Sequence, residues 1–199
     1  ADLRRLRIEL LNDPYFKDVP SMQPSEKKTA LFFHAKDDLP EVRREVFKVL
    51  RGAGIRVQAT IRRKKIMARV AQGNANAKLD PEYIYDAMVG HSLGDFLADS
   101  PRSHIIFARR GKARRRFAMI LAVHHTERNM KVRLGPKAIT KWTEETAYPD
   151  AHGGLQAVDY LLWALQRLLE KQEERFFSLV NTNFQKIIDL DDPKHGIGG

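Results

Sequence analysis

The chain of 199 residues has no cysteine. This excludes disulfides, thiolate zinc sites and a thiol nucleophile. No apolar run is long enough to span a bilayer and the start lacks a signal-peptide layout, so the expected setting is cytoplasmic, with no membrane partner. A Gly-rich phosphate loop of the P-loop kind, a Gly-x-Ser-x-Gly elbow and a His-Glu-x-x-His pair are all missing. Their absence counts against the commonest nucleotidase, esterase and metalloprotease readings. There is no internal repeat and no low-complexity segment. Acidic residues are the scarcer charge: 25 Asp and Glu face 35 Lys and Arg, a formal net charge of +10. That balance favours a polyanionic partner, with nucleic acid (DNA or RNA) ahead of an anionic membrane surface. An oligomer or a partner protein stays open.

What is present suits a globular chain. Hydrophobic residues at 43% and charged residues at 30% are ordinary, and the length is enough to bury a real core. A single α/β domain is expected over 1–192, followed by a frayed tail over 193–199. The chain opens at Ala1 and enters helical sequence almost at once; a fragment, or the loss of a leading segment, is the expectation.

Helix is expected over 2–11, where Leu3, Leu6 and Leu10 share a face, until Asn12-Asp13-Pro14 ends it. After a polar loop, Thr29–His34 suits a short strand or a buried turn that delivers His34, Asp37 and Asp38. Pro40 opens a helix to about Arg51, with Val42, Val46, Val49 and Leu50 inward. Ile55–Ile61 alternates apolar and polar residues and reads as a strand with one strongly apolar face. Asp80-Pro81 starts a helix to about residue 98. Ser103–Ala108 reads as a strand buried on both faces, Phe117–Val123 as a helix and Lys131–Leu134 as a further short strand. Residues 135–154 look irregular, and helices are expected over 155–171 and 173–188. Strands alternating with helices argue for an α/β fold with an at least partly parallel sheet.

One stretch organises the rest. Gly153-Gly154 ends the irregular segment, and Leu155, Val158, Leu162, Leu165 and Leu169 then recur at helical spacing. They read as one buried stripe, widened by Leu161 and Leu168. Asp159 sits in the first turn, where the helix dipole favours a carboxylate, and beyond the edge of the stripe, in line with Gln166 and Glu170. It either faces a cleft or is a helix-start aspartate placed for electrostatics.

Two basic clusters follow strands: Arg62, Arg63, Lys64 and Lys65, then Arg109, Arg110, Lys112, Arg114, Arg115 and Arg116. If the strands are parallel, both flank one crevice beyond the strand ends, where open α/β sheets bind ligands. They then form a phosphate-holding surface of salt-dependent affinity; the alternative is two solvated charged turns. His34, Asp37 and Asp38 are metal-capable groups within five residues, and oxygen-rich donors suit Mg2+ or Mn2+. A capping role for Asp37 or Asp38 ahead of the Pro40 helix is the alternative there. The neighbours His124 and His125 point apart on a helix and read as structural.

The run Gly154-Leu155-Gln156-Ala157-Val158-Asp159-Tyr160-Leu161-Leu162-Trp163-Ala164-Leu165-Gln166-Arg167 resembles the C-terminal motif of the bacterial family of unknown function DUF3800. That motif is Leu-Gln-(small)-(apolar)-Asp-Tyr followed by an apolar helix. Glu173-Glu174-Arg175-Phe176 and Ile188-Asp189-Leu190-Asp191-Asp192 are similar to the segments that follow it. The turns Phe33-His34-Ala35 and Arg109-Arg110-Gly111 sit in the family's order, so the resemblance covers most of the chain. It implies a ribonuclease H-like fold, a mixed sheet flanked by helices, and a metal-dependent nuclease. It further implies metal-holding, catalytic roles for Asp159 and for Asp37 or Asp38, with Mg2+ or Mn2+ as cofactor; His34, beside them, is expected to position water or a phosphate oxygen. The family's opening strand, with its Asp-Glu-Ser-Gly-like motif, has no counterpart here. The first strands are therefore expected to be missing, and the metal site to lack one carboxylate. The other expectation is a non-catalytic nucleic-acid-binding or assembly subunit that keeps the fold and has lost the site.

Overall fold

The computed structural model describes residues 3–17, 19, 22, 32–67, 81–109, 114–135 and 141–192. The elements, in chain order, are α1 (Leu3–Asn12), α2 (Pro40–Arg51), β1 (Val57–Ile61), α3 (Pro81–Asp99), β2 (Arg102–Ala108) and α4 (Arg114–Leu134). There follow β3 (Lys141–Ala147), α5 (Gly153–Lys171), α6 (Glu174–Val180), a 3-10 turn over Asn181–Asn183 and β4 (Phe184–Asp189). Helix and strand are mixed, and the strands form two small parallel pairs, β1 with β4 and β2 with β3. Hydrogen bonds at both ends of the second pair show the direction: Lys141 N–H reaches Pro101 C=O at 3.2 Å and Arg109 N–H reaches Ala147 C=O at 2.8 Å. Parallel neighbours need a long crossover, and α4 supplies it between β2 and β3. The chain is thus of the α/β class. No described helix is long and apolar enough to cross a membrane.

The chain divides into two compact units, Ala1–Val57 with Phe107–Arg109 and Ala147–Gln185, and Gln58–Ile106 with Arg110–Thr146 and Lys186–Gly199. The tail over 193–199 lies outside the described residues. The first unit is built on one apolar core. Leu3 and Leu10 of α1, Val42, Val46, Phe47 and Leu50 of α2, and Ala157, Tyr160, Leu161 and Ala164 of α5 are buried together with Phe33 and Val180. Phe47 is the hub: its ring centroid lies 5.4 Å from Tyr160 and 5.8 Å from Phe176, and Phe176 meets Trp163 at 4.7 Å. Such ring pairs contribute about 0.5–1.5 kcal/mol each beyond the area they bury. Buried Asn183 donates its amide N–H to the Ile55 carbonyl at 3.1 Å, tying the 3-10 turn to the segment ahead of β1.

The buried face of α5 runs along Gln156, Ala157, Tyr160, Leu161, Ala164 and Leu165. Val158, Leu162 and Leu169 are instead 51%, 47% and 51% exposed, so the expected stripe splits, with Leu161 and Leu165 buried and these three on the exposed face. Alanines bring backbones close, and a buried tyrosine is tolerated when its hydroxyl finds a partner. Neither property shows in side-chain hydrophobicity.

In the second unit α3 packs on α4. Gly90 marks the close approach: a Cβ there would lie 3.2 Å from Thr126 Oγ1. The Thr126 hydroxyl donates back to Ala122 C=O at 2.8 Å. Thr60 of β1 and Ser92 of α3 share a hydroxyl–hydroxyl bond of 2.7 Å.

Several elements differ from the sequence pattern. Helix α4 runs on to Leu134, so Lys131–Leu134 is helix and not strand. Strand β3 lies in the stretch that looked irregular, and β4 replaces the end of the helix expected over 173–188. Both strands form by pairing with a distant partner, which local pattern does not report. In β2 only Phe107 is buried, and in β1 only Ala59. Each has a single strand neighbour among the described residues, so the double burial and the strongly apolar face are not seen.

Candidate functional site

Three side chains from the start of α5 hold the turn over 32–38. Gln156 Oε1 accepts the Phe33 N–H at 3.0 Å, Asp159 Oδ2 accepts the Ala35 N–H at 2.9 Å, and the Tyr160 hydroxyl donates to Asp38 Oδ2 at 2.5 Å. Positions i, i+3 and i+4 are neighbours on a helix surface, which is why one helical turn can grip one loop. The loop also closes on itself. Asp37 and Asp38 N–H groups reach the His34 carbonyl at 3.1 and 2.9 Å, and the His34 N–H donates to Asp38 Oδ2 at 2.9 Å. From α2, Arg43 donates to the Ala35 carbonyl at 3.1 Å while its guanidinium lies 5.1 Å over the Trp163 ring. The Gln156 amide donates to the Pro149 carbonyl at 2.7 Å, tying in the segment before α5.

Asp38 is buried. Burial pushes its carboxyl above the usual carboxylate range, against the pull of the Tyr160 hydroxyl, the His34 N–H and the Arg7 charge. Arg7 is buried too, 4.7 Å over the Phe33 ring. Desolvation lowers its pKa while Asp38 opposes the shift. Burial and the neighbouring Asp38 drive the Tyr160 phenol far upward, so it serves as a neutral donor. An aspartate, a tyrosine and an arginine thus form one internal cluster beneath the loop.

His34, Asp37, Asp38 and Asp159 all lie at this junction, within the first unit. Their positions are unlike. Asp38 faces inward, whereas the Asp37 side chain is about half exposed, with Oδ2 3.4 Å from His34 Nδ1. Asp159 is half-buried, and its Oδ1 accepts no hydrogen bond among the described residues. The hard oxygens of Asp159 and Asp37 have the donor chemistry that Mg2+ or Mn2+ takes. No three His, Asp or Glu side chains converge as a metal-holding group among the described residues, so the fit is one of donor chemistry.

The basic residues divide. Arg62 pairs with Asp191 at 3.2 Å and Arg63 with Asp189 at 2.5 Å, and the Arg63 N–H also donates to Asp191. Lys64 and Lys65 are exposed. Arg109 is exposed and lies 4.9 Å over the Tyr148 ring. Arg110 and Lys112 fall outside the described residues, as do the side chains of Arg114, Arg115 and Arg116, whose backbone opens α4. The pair His124 and His125, read as structural, lines an open groove of about 540 Å³ in the second unit with Leu121, Glu127, Arg128 and Lys131. Glu127 is held there by Lys131 at 2.7 Å and the Trp142 N–H at 3.3 Å.

Sequence reasoning missed Gln156, Tyr160, Arg7 and Arg43, which position the loop. The signal was present for two of them, since Asp159 and Tyr160 follow Gln156 at i+3 and i+4. Comparison of the chain with family models, with curated proteins and with solved structures finds no match to any of them.

Proposed function

We propose that the chain is a metal-dependent nuclease, or the larger part of one, acting on the phosphodiester bonds of DNA or RNA. The resemblance of its Asp-Tyr helix to the DUF3800 motif, and with it a ribonuclease H-like arrangement, supports this reading. One observation carries it: the Ala35 N–H fixes one oxygen of Asp159, and the other oxygen accepts no hydrogen bond among the described residues, beside a loop that bears Asp37 and His34. Asp159 and Asp37 hold Mg2+ or Mn2+; when bound, the cation supplies an activated water and positive charge for the scissile phosphate. His34 positions a water or a phosphate oxygen. Asp38 anchors the loop through Tyr160. Arg109, in the same unit as Asp159, holds the phosphate backbone without reading sequence, and Lys64 and Lys65 of the second unit add general attraction for a polyanion.

The test is cleavage of labelled DNA and RNA in Mn2+ by wild type and Asp159→Asn. Loss of a supporting residue costs roughly 10–100-fold, and loss of Asp159 should cost more than that. Undiminished cutting by the variant overturns its role. A second reading, a non-catalytic nucleic-acid-binding or assembly subunit, draws on the inward engagement of Asp38, which removes one carboxylate from any site. Isothermal titration with Mn2+ separates the two: no binding by wild type favours the subunit, and binding lost in Asp159→Ala favours the nuclease.

A further inference from the structure

Strands β2 and β3 end side by side. The first residue past β2 is Arg109 and the first past β3 is Tyr148, and the Arg109 N–H donates to the Ala147 carbonyl at 2.8 Å. Both residues belong to the first unit. The Arg109 guanidinium lies 4.9 Å over the Tyr148 ring, which is 53% exposed. Arginines also lie over Phe33, Trp163 and Phe176, but those rings belong to the apolar core or pack against it. Tyr148 does neither. A guanidinium stacked on a ring keeps its in-plane N–H donors free for an anion. No ion pair engages Arg109 among the described residues.

This pair is tied to the site already described. Pro149, next to Tyr148, accepts the Gln156 amide at 2.7 Å, and the same Gln156 accepts the Phe33 N–H at 3.0 Å. Asp159 follows Gln156 by one helical turn. The carboxyl ends of parallel strands are where open α/β sheets take ligands. An exposed ring beside a cation offers what an unpaired nucleotide needs, a flat surface for the base and a donor for the phosphate. A duplex cannot use the ring, because its base faces are already stacked on each other.

We propose that Tyr148 and Arg109 form a subsite for single-stranded nucleic acid at the Asp159 site, with the tyrosine stacking one base and the arginine holding an adjacent phosphate. This rests on the nuclease reading for its neighbour, yet binding requires no cleavage. The test is fluorescence anisotropy of the whole chain in EDTA with labelled oligothymidylate, oligouridylate, an abasic strand and a duplex. Single strands should bind more tightly than the duplex. Tyr148→Leu should weaken them by roughly 5- to 150-fold, Tyr148→Phe should restore binding, and the abasic strand should not register the leucine. Arg109→Ala should reduce the salt slope by about 0.7. The two single-stranded arms separate DNA from RNA as the source of the base. Wild-type binding by Tyr148→Leu, an equal loss on the abasic strand, duplex binding as tight as single-strand binding, or no binding of any oligonucleotide overturns the subsite. Failure of the nuclease reading shows separately, in the Asp159→Asn cleavage assay.

Discussion

At the 32–38 loop an aspartate, a tyrosine and an arginine share a buried cluster, whereas at the end of β1 the exposed Arg63 meets Asp189, beside Arg62 on a more deeply set Asp191. Both regions carry the residue types that suggest ligand binding, and both use some of those residues internally. The energetics differ. Under the loop each polar group has given up water, so removing one partner strands the others. At the strand end the Arg63 side chain is 59% exposed, so its ion pair is worth little.

The largest effect should come from breaking the buried cluster. Asp38→Ala leaves the Tyr160 hydroxyl and the His34 N–H without their acceptor and the buried Arg7 charge without the opposite charge near it, and urea unfolding should show a loss of about 3–5 kcal/mol. Asp38→Asn should be mild, because the His34 N–H and the Tyr160 hydroxyl share a single oxygen that the amide retains. The two proteins should also diverge with pH. A carboxyl raised in the folded state contributes stability that is full below its unfolded value and is lost as pH rises through the folded value. Asp38 is raised and the amide does not titrate. Asp38→Asn should therefore gain on wild type as pH rises through that window; a gain by wild type instead contradicts the burial account.

Next in size is Gln156→Ala, which leaves the buried Phe33 N–H without an acceptor and should cost about 1–3 kcal/mol. Faster hydrogen exchange at the Phe33 amide is the local readout. The smallest effects belong to the strand end. Arg63→Ala should leave the urea midpoint within scatter, with any residue of an effect gone at about 1 M salt. Against an oligonucleotide, Lys64→Ala should lower the salt slope by about 0.7–0.9. Arg63→Ala should lower it less, since Asp189 already offsets that charge. Equal slopes for the two variants erase the contrast between Arg63, which has an ion-pair partner, and Lys64, which has none among the described residues.

Much of the fold was legible wherever a signal is local. Pro40 at N1 and the Gly52 stop bound α2 as observed, and the glycine pair opens α5. The limits were physical. Which face of α5 is buried depends on Ala157, Tyr160 and Ala164 fitting the core, not on where the leucines fall. The strand β3, Lys-Trp-Thr-Glu-Glu-Thr-Ala, is too polar to announce itself and exists through its partner β2. At the site, Asp159 stood out by position, but nothing local separates Asp37 from Asp38. Tyr160, 122 residues away, makes that distinction.

That separation has a kinetic consequence. The bonds that join the loop to α5 span 122 to 124 residues. A ribosome adding about 5–20 residues per second exposes the loop several seconds before its clamp exists. Entropy does not forbid closure, since each doubling of loop length costs only about 0.6 kcal/mol, but contacts this distant in sequence form late. During synthesis Phe33 and the Asp38 carboxylate must wait in water, and the candidate site is among the last parts of the molecule to be born.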